Sequence, residues 1–414
     1  LSGTLNLSAV TLLNFQNLQI ANGDTLTLNA VELSGKTMNI TMNGTANLVI
    51  VSDASSHDFS NITVTKGTGT VTLDVNINKD ISATNIHNII DKFDVASGST
   101  LTLSYSQFNG HTGVGTGTLK LSDTSLTGAQ IKSVNDASTN AIDLSNVTTI
   151  STATMTEMLE IVNNTGATFT TAANYTVTIS DTSSASNVNL VVSDTTGTVT
   201  ATVTADTAAN LNAALTNATG TDALTLTINS TSTSSANLIS LDGKTSVAVG
   251  ATAITELTGN ATNIKTALAS SGITTVTNGS LAVTVSGSTS VADINTINAD
   301  SATGIVTATA TETAAATLIG LTTTGTDAIT VTMAAASTAA ADLNTIDGKT
   351  SVAVGATAIT ALTGTAADIK IALASSGRTT VTNNSLAVNV NSGTASGADI
   401  NIINSDSATG IVTA

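Results

Sequence analysis

The 414-residue chain has no cysteine, no proline and no tryptophan, and aromatic residues make up only 2% of it. Each absence narrows the choice of fold. A chain without cysteine suits an exported protein that avoids stray thiol chemistry. A chain without proline keeps every backbone donor, as strands in a hydrogen-bonded ladder require. With so few aromatic rings the interior must be built from Val, Ile, Leu, Ala and Thr, which is thin material for a compact domain of this length. Thin layers stacked on one another, each burying a few small residues against its neighbours, do not need the rings.

Charge is scarce too. Charged residues are 9% of the chain, yet 28 acids face 11 bases, for a formal net charge of -17. That balance argues against nucleic acid or an anionic membrane surface as a partner, since both require clustered Lys and Arg. Divalent cations fit it better. No run of about 18 apolar residues occurs, so no membrane insertion is expected. The chain opens without Met or a signal-peptide pattern, and its last residues, GIVTA at 410–414, repeat the start of GIVTATATETAA at 304–315. The expectation is a piece of a longer protein whose export signal or anchor lies outside it.

What the sequence does contain is repetition. DGKTSVAVGATAIT stands at 242–255 and again at 347–360, defining a 105-residue block over 242–346 that is copied in part over 347–414. A shorter period lies inside it, marked by apolar anchors at Leu211, Leu238, Ile264, Ile294, Leu343, Ile369 and Ile400, with ATLIG at 316–320 filling the gap. Each anchor has an apolar partner three or four positions on, at Leu215, Leu241, Leu268, Ile297, Leu321, Ile346, Leu373 and Ile403, which is one face of a short helix. Asp206, Asn260 and the Ser and Thr residues just upstream are placed to cap such helices, and Gly243, Gly272, Gly348 and Gly377 to end them in the left-handed conformation. Between them run alternating segments such as TVTATVTA (198–205), LAVTV (281–285) and AITVTM (328–333), each a strand with one buried face.

Strand, turn, short helix and turn thus recur in roughly 26 residues. Strands that return after a helical crossover lie parallel. The fold expected is a β-rich solenoid: a parallel β-helix over the irregular residues 1–195, continuing into a strand/short-helix (βα) solenoid over 196–414 as one elongated rod. Copying a block lengthens such a stack without changing any neighbour contact.

Chemical sites are sparse. His57, His87 and His111 are far apart in sequence and are read as solvent-exposed turn or helix-face residues, and no catalytic residue, and so no enzyme, is assigned. The glycines of GHTGVGTGTLK (110–120) lack the Gly-Lys-Ser/Thr of a phosphate loop. Asp300 and Asp406, in NADSATG and NSDSATG, and Asp242 and Asp347, in LDGK and IDGK, are the candidate calcium ligands, although such residues also make Asx turns and helix stops without a metal. Thr198, Thr200, Thr202 and Thr204 share one strand face, the kind of row that orders water in ice-binding solenoids.

At AADLNTIDGKTSVAVGATAITALTGTAADIKIALASSG (340–377) the chain resembles the Ala/Thr-rich repeat regions of bacterial surface-layer proteins and type I-secreted repeat adhesins. The resemblance implies an extracellular, bacterial cell-surface location, a structural or adhesive role and calcium dependence. The Gly-Gly-x-Gly-x-Asp nonapeptide of that secretion class is absent. The expected role is a structural repeat protein of a surface layer, sheath, extracellular filament or adhesin stalk. Its expected partners are copies of itself, by lateral or end-to-end contact, and cell-surface polysaccharide. The alternatives are an ice-binding or ligand-adhesion β-solenoid and a β-helix carbohydrate-active enzyme, the latter needing converging carboxylates and aromatic platforms.

Overall fold

The computed structural model describes residues 3–11, 15–275, 280–300, 303–379, 386–391, 395–406 and 409–414. Among them, the strands form many short parallel pairs in several sheets, with short helices between them, in a repeating β/α arrangement. The chain divides into two units, Leu1–Val203 with Thr221–Leu224, and Thr204–Gly220 with Thr225–Ala414.

In the first unit one sheet takes, in chain order, every second strand: Thr4–Asn6, Thr25–Asn29, Asn47–Val51, Val71–Val75, Lys92–Val95 and Thr112–Gly115. The register sets like on like, so that Leu28, Ile50, Leu73 and Phe93 form one buried column. A second sheet collects the strands Asn17–Ile20, Met38–Met42 and Ile62–Lys66, and a second column, Leu101, Leu119, Ile142 and Phe169, lines the sheet that follows. These side chains alternate with half-buried Thr, Asn, Val and Lys, so period-two patterning decides the inner face. Burial of each Leu, Ile or Val contributes about 1.5–3 kcal/mol, enough in number to replace the missing aromatic core.

Short helices enter as the sheets change: α1 (Tyr105–Phe108), α2 (Gly128–Asp136), α3 (Met155–Val162) and α4 (Ala185–Asp194). The first three open with reciprocal capping boxes, Ser104 with Gln107, Thr127 with Gln130 and Thr154 with Glu157, which satisfy two backbone donors at each start.

The second unit contains α5 (Ala208–Ala214), α6 (Ser235–Asp242), α7 (Ala261–Ala269), α8 (Val291–Asp300), α9 (Ala315–Leu318), α10 (Ala340–Asp347), α11 (Ala366–Ala374) and α12 (Gly397–Asp406). Helices α5 to α8 pack each on the next, as do α9 to α12, beside sheets whose columns read Thr233, Leu257, Val283, Val306 and Thr338, Leu362, Val388, Val412. Position four of the helix is the buried anchor in α5 to α11, as the spacing predicts, while in α12 Ile400 is half-buried. The partner is always three residues on in these longer helices, and so it is Ala267 and Ala372, not the half-buried Leu268 and Leu373, that close the core in α7 and α11.

Caps differ in detail from the sequence expectation. Asn260 does accept the Asn263 N–H (2.9 Å), but α5 is capped by Thr207, while Asp206 accepts the N–H of Thr207 and the side-chain amide of Asn210. Gly243 and Gly348 follow their helices in the right-handed region, at φ -70° and -69°. They end helices without left-handed geometry.

The element pattern also shows a copy of the block that the two identical stretches do not mark. The sheet of Ser125–Leu126, Thr149–Ala153, Thr176–Ser183, Val199–Val203 and Ala223–Thr225 matches that of Ser232–Ser234, Glu256–Gly259, Leu281–Thr289, Thr303–Ala310 and Ala328–Thr330 in order and helix placement. Even the register jump recurs, between Thr178 and Thr182 and between Thr284 and Ser288. The strands Ser337–Ala339, Ala361–Gly364, Leu386–Val390 and Thr409–Thr413 begin the same series again. Among the described residues no helix is long and apolar enough to cross a membrane.

Candidate functional site

The acidic positions singled out by the sequence fall at helix ends. Asp242 closes α6 and accepts a hydrogen bond from Ser270 Oγ (2.8 Å), one layer on. Asp347 closes α10 and accepts the equivalent bond from Ser375 Oγ (2.9 Å). Opposite each carboxylate stands a glycine, Gly272 or Gly377, where any Cβ would collide with the Asp side chain. These glycines serve close approach, not a helix stop in the left-handed region. Asp347 has a further partner, the guanidinium of Arg378, whose Nη2 donates to Oδ2 (2.8 Å) while Nη1 donates to Asn344 Oδ1 (2.9 Å). The Arg378 side chain is 1% exposed, so this is a buried ion pair. Asp300 and Asp406 end α8 and α12, but their side chains lie outside the described residues. Among the described residues no three His, Asp or Glu side chains gather in a geometry that could hold a metal ion.

Two titratable clusters in the first unit have no counterpart in the repeats. His57 is buried, contrary to its reading as an exposed turn residue: its Nε2 meets Asp53 Oδ1 at 2.7 Å and its ring stacks on Phe59. Lys79, also buried, donates to the carbonyls of Asp53 and Ser55. Burial pushes the Asp53 carboxyl up, but the Ser55 N–H, His57 and Lys79 outweigh it and hold the group below its ordinary value. Burial likewise draws Lys79 down against the pull of Asp53.

The second cluster lines a groove of about 440 Å3 bounded by Ile62, Lys66, Ile90, Asp91 and His111. Lys66 pairs with Asp91 Oδ1, and Asp91 Oδ2 accepts the Val71 N–H (2.8 Å). His111 turns its ring edge to Phe93, with centroids 5.5 Å apart. It too departs from the exposed reading, being half-buried, as is His87. The glycine-rich run at 110–120 becomes the strands Thr112–Gly115 and Thr118–Leu121, with no helix after it.

The Thr rows are real but short. Thr200 and Thr202 are exposed between buried Val199, Ala201 and Val203, and Thr200 stands beside Thr178. The register then jumps, so Thr202 meets Thr182, and the row does not continue as a flat array.

Three groups escaped sequence reasoning. Asp222 and Asp327 are 3% and 4% exposed, and each accepts a strand N–H from the preceding layer, from Val199 (3.0 Å) and Val306 (2.9 Å). Their shared context, TGTDA at 219–223 and 324–328, was the available signal. Arg378 was visible as the one charged letter in SSGRTT against SSGITT. Lys79 carried no signal at all. Comparison with known proteins finds no match to the chain among family models, curated proteins or solved structures.

Proposed function

We propose that the chain is a structural repeat protein of the bacterial cell surface, in which the layers of each unit wind as a β-solenoid: a parallel β-helix first, then the strand/short-helix form. It would serve in a surface layer, sheath, filament or adhesin stalk, through contacts with copies of itself. The observation that carries this reading is the repeated block itself: its strand order and even its register jump recur, so length is gained by copying layers whose contacts are only to their neighbours. The negative charge keeps such a surface free of nucleic acid and leaves calcium as the ion to test. Electron microscopy of the purified chain with and without calcium tests it. Rods that order into a lattice or fibre support the proposal; a dispersed monomer that hydrolyses a polysaccharide or reshapes ice crystals overturns it in favour of the alternatives.

A further inference from the structure

The groove of the first unit sits where two sheets end. Ile62–Lys66 is the last strand of one and pairs only with Met38–Met42; Thr112–Gly115 is the last of the other, pairs along its length with Lys92–Val95, and on its outer side is held at Gly113, which donates to the Ala137 carbonyl and accepts from the Thr139 N–H, and at the Val114 carbonyl, which accepts from Asn140 Nδ2. Among the described residues the outer side of Ile62–Lys66 has no strand partner. At this edge His111 lies against Phe93, and His87, on the single turn Ile86–Ile89, is close enough to act on it electrostatically. Both Nδ1 atoms are shut off from solvent without a well-formed hydrogen bond.

We propose that His87 and His111 form an acid-triggered latch: as neutral imidazoles they hold these two terminal strands in place, and their joint protonation opens this edge of the unit. The groups facing them are few. Lys66 adds a third cation, and Asp91, the facing carboxylate, is already engaged by Lys66 and by the Val71 N–H. Two imidazolium charges would therefore stand beside each other and beside an ammonium, with no free anion between them.

Proton affinity follows the same logic. Burial lowers both imidazoles below their ordinary value, against a smaller opposing pull from the carbonyls of Thr84 on His87 and of Ile90 on His111; His87 and Lys66 add to the lowering at His111, and Asp91 opposes it. A group whose folded pKa is depressed in this way binds its proton better when the edge is open. Stability is full above the unfolded histidine value, about 6.5, and falls as the pH drops through it towards the lower folded values.

The test uses the whole chain with 15N-labelled histidine. Ring titration followed by NMR should place His87 and His111 below about 6.5. Amide exchange in Ile62–Lys66 and Thr112–Gly115, corrected for its intrinsic pH dependence, should accelerate more than about tenfold from pH 7 to pH 5, while Leu101 and Leu119 stay protected. The variant His87→Gln/His111→Gln should lose that acceleration. Titration of both rings at or above the free value, or unchanged protection of the two strands at pH 5, overturns the latch, and both measurements need only the unmodified chain. An acid response retained in the double variant overturns it equally.

Discussion

In the block that begins at Ser232, the space between the end of α6 and the strand Ile273–Thr274 carries Ile239 and Ile273; in the block that begins at Ser337, the same two positions carry Asn344 and Arg378. The backbone does not register the exchange. Ile273 pairs with Val249 and Arg378 with Val354, and the two residues are 7% and 6% exposed. An apolar pair and a hydrogen-bonded polar pair thus fill one site. The lesson is that each layer contact is specified locally, so a copy is free to change its chemistry when both partners change together. Burying Arg378 costs desolvation of its charge, which Asp347 and Asn344 offset; replacement of such a set by matched apolar groups is often neutral or stabilising.

The largest effect should come from breaking the polar pair on one side only. Arg378→Ala leaves Asp347 and Asn344 facing a hole, and urea denaturation should show a loss of about 3–5 kcal/mol. Asn344→Ile with Arg378→Ile, which rebuilds the older block's solution, should recover most of that loss; a double variant no better than the single would show that the two sites are not interchangeable. Next comes Asp327→Ala, which orphans the buried Val306 N–H and should cost about 1–3 kcal/mol, with Asp222→Ala matching it at Val199.

A smaller change should have the opposite sign. Ser235 Oγ is buried without a partner, and the later block has Ala340 at that position, so Ser235→Ala should gain about 1 kcal/mol in the same assay. The smallest effect concerns the exposed pairs Lys265 with Asp293 and Lys370 with Asp399, which tie successive helices. Hydrogen bonding to Lys265 holds Asp293 below its ordinary value, and Lys370 holds Asp399 at about 2. Their contribution is present above the unfolded aspartate value, about 3.9, and disappears as pH falls towards 2. Lys370→Gln should reduce that acid dependence and lower stability at pH 7 by the same small amount, since such pairs are screened by solvent, while leaving stability near pH 2 unchanged.

Much of this architecture was legible because it depends on periodicity. Alternating Val and Thr at 198–205, and anchors such as Leu238 with Leu241, announce a strand and a helix face before any coordinate is known. Choosing between Ala267 and Leu268 was beyond such a reading, since both lie within the apolar arc and the pattern does not fix how the helix is rotated on its sheet. The earlier copy starting at Ser125 was hidden because its side chains have drifted while its register has not. His57 was misread for a related reason. A histidine's burial depends on what lies one layer away, here Asp53 and Lys79, and a linear pattern search does not see across layers.

Near-identity between blocks has a consequence for how the chain reaches its native state. The strands Ser232–Ser234 and Ser337–Ala339 present almost the same edge, and their native neighbours Glu256–Gly259 and Ala361–Gly364 are just as alike. During folding either strand could accept the other's neighbour, looping out an entire block, or two molecules could trade blocks. The isoleucine pair in one copy and the asparagine–arginine pair in the other make such crossed seating unfavourable, because a guanidinium would then meet an isoleucine. A substitution that looks like drift thereby acts as an address label, telling otherwise interchangeable segments which neighbour is theirs.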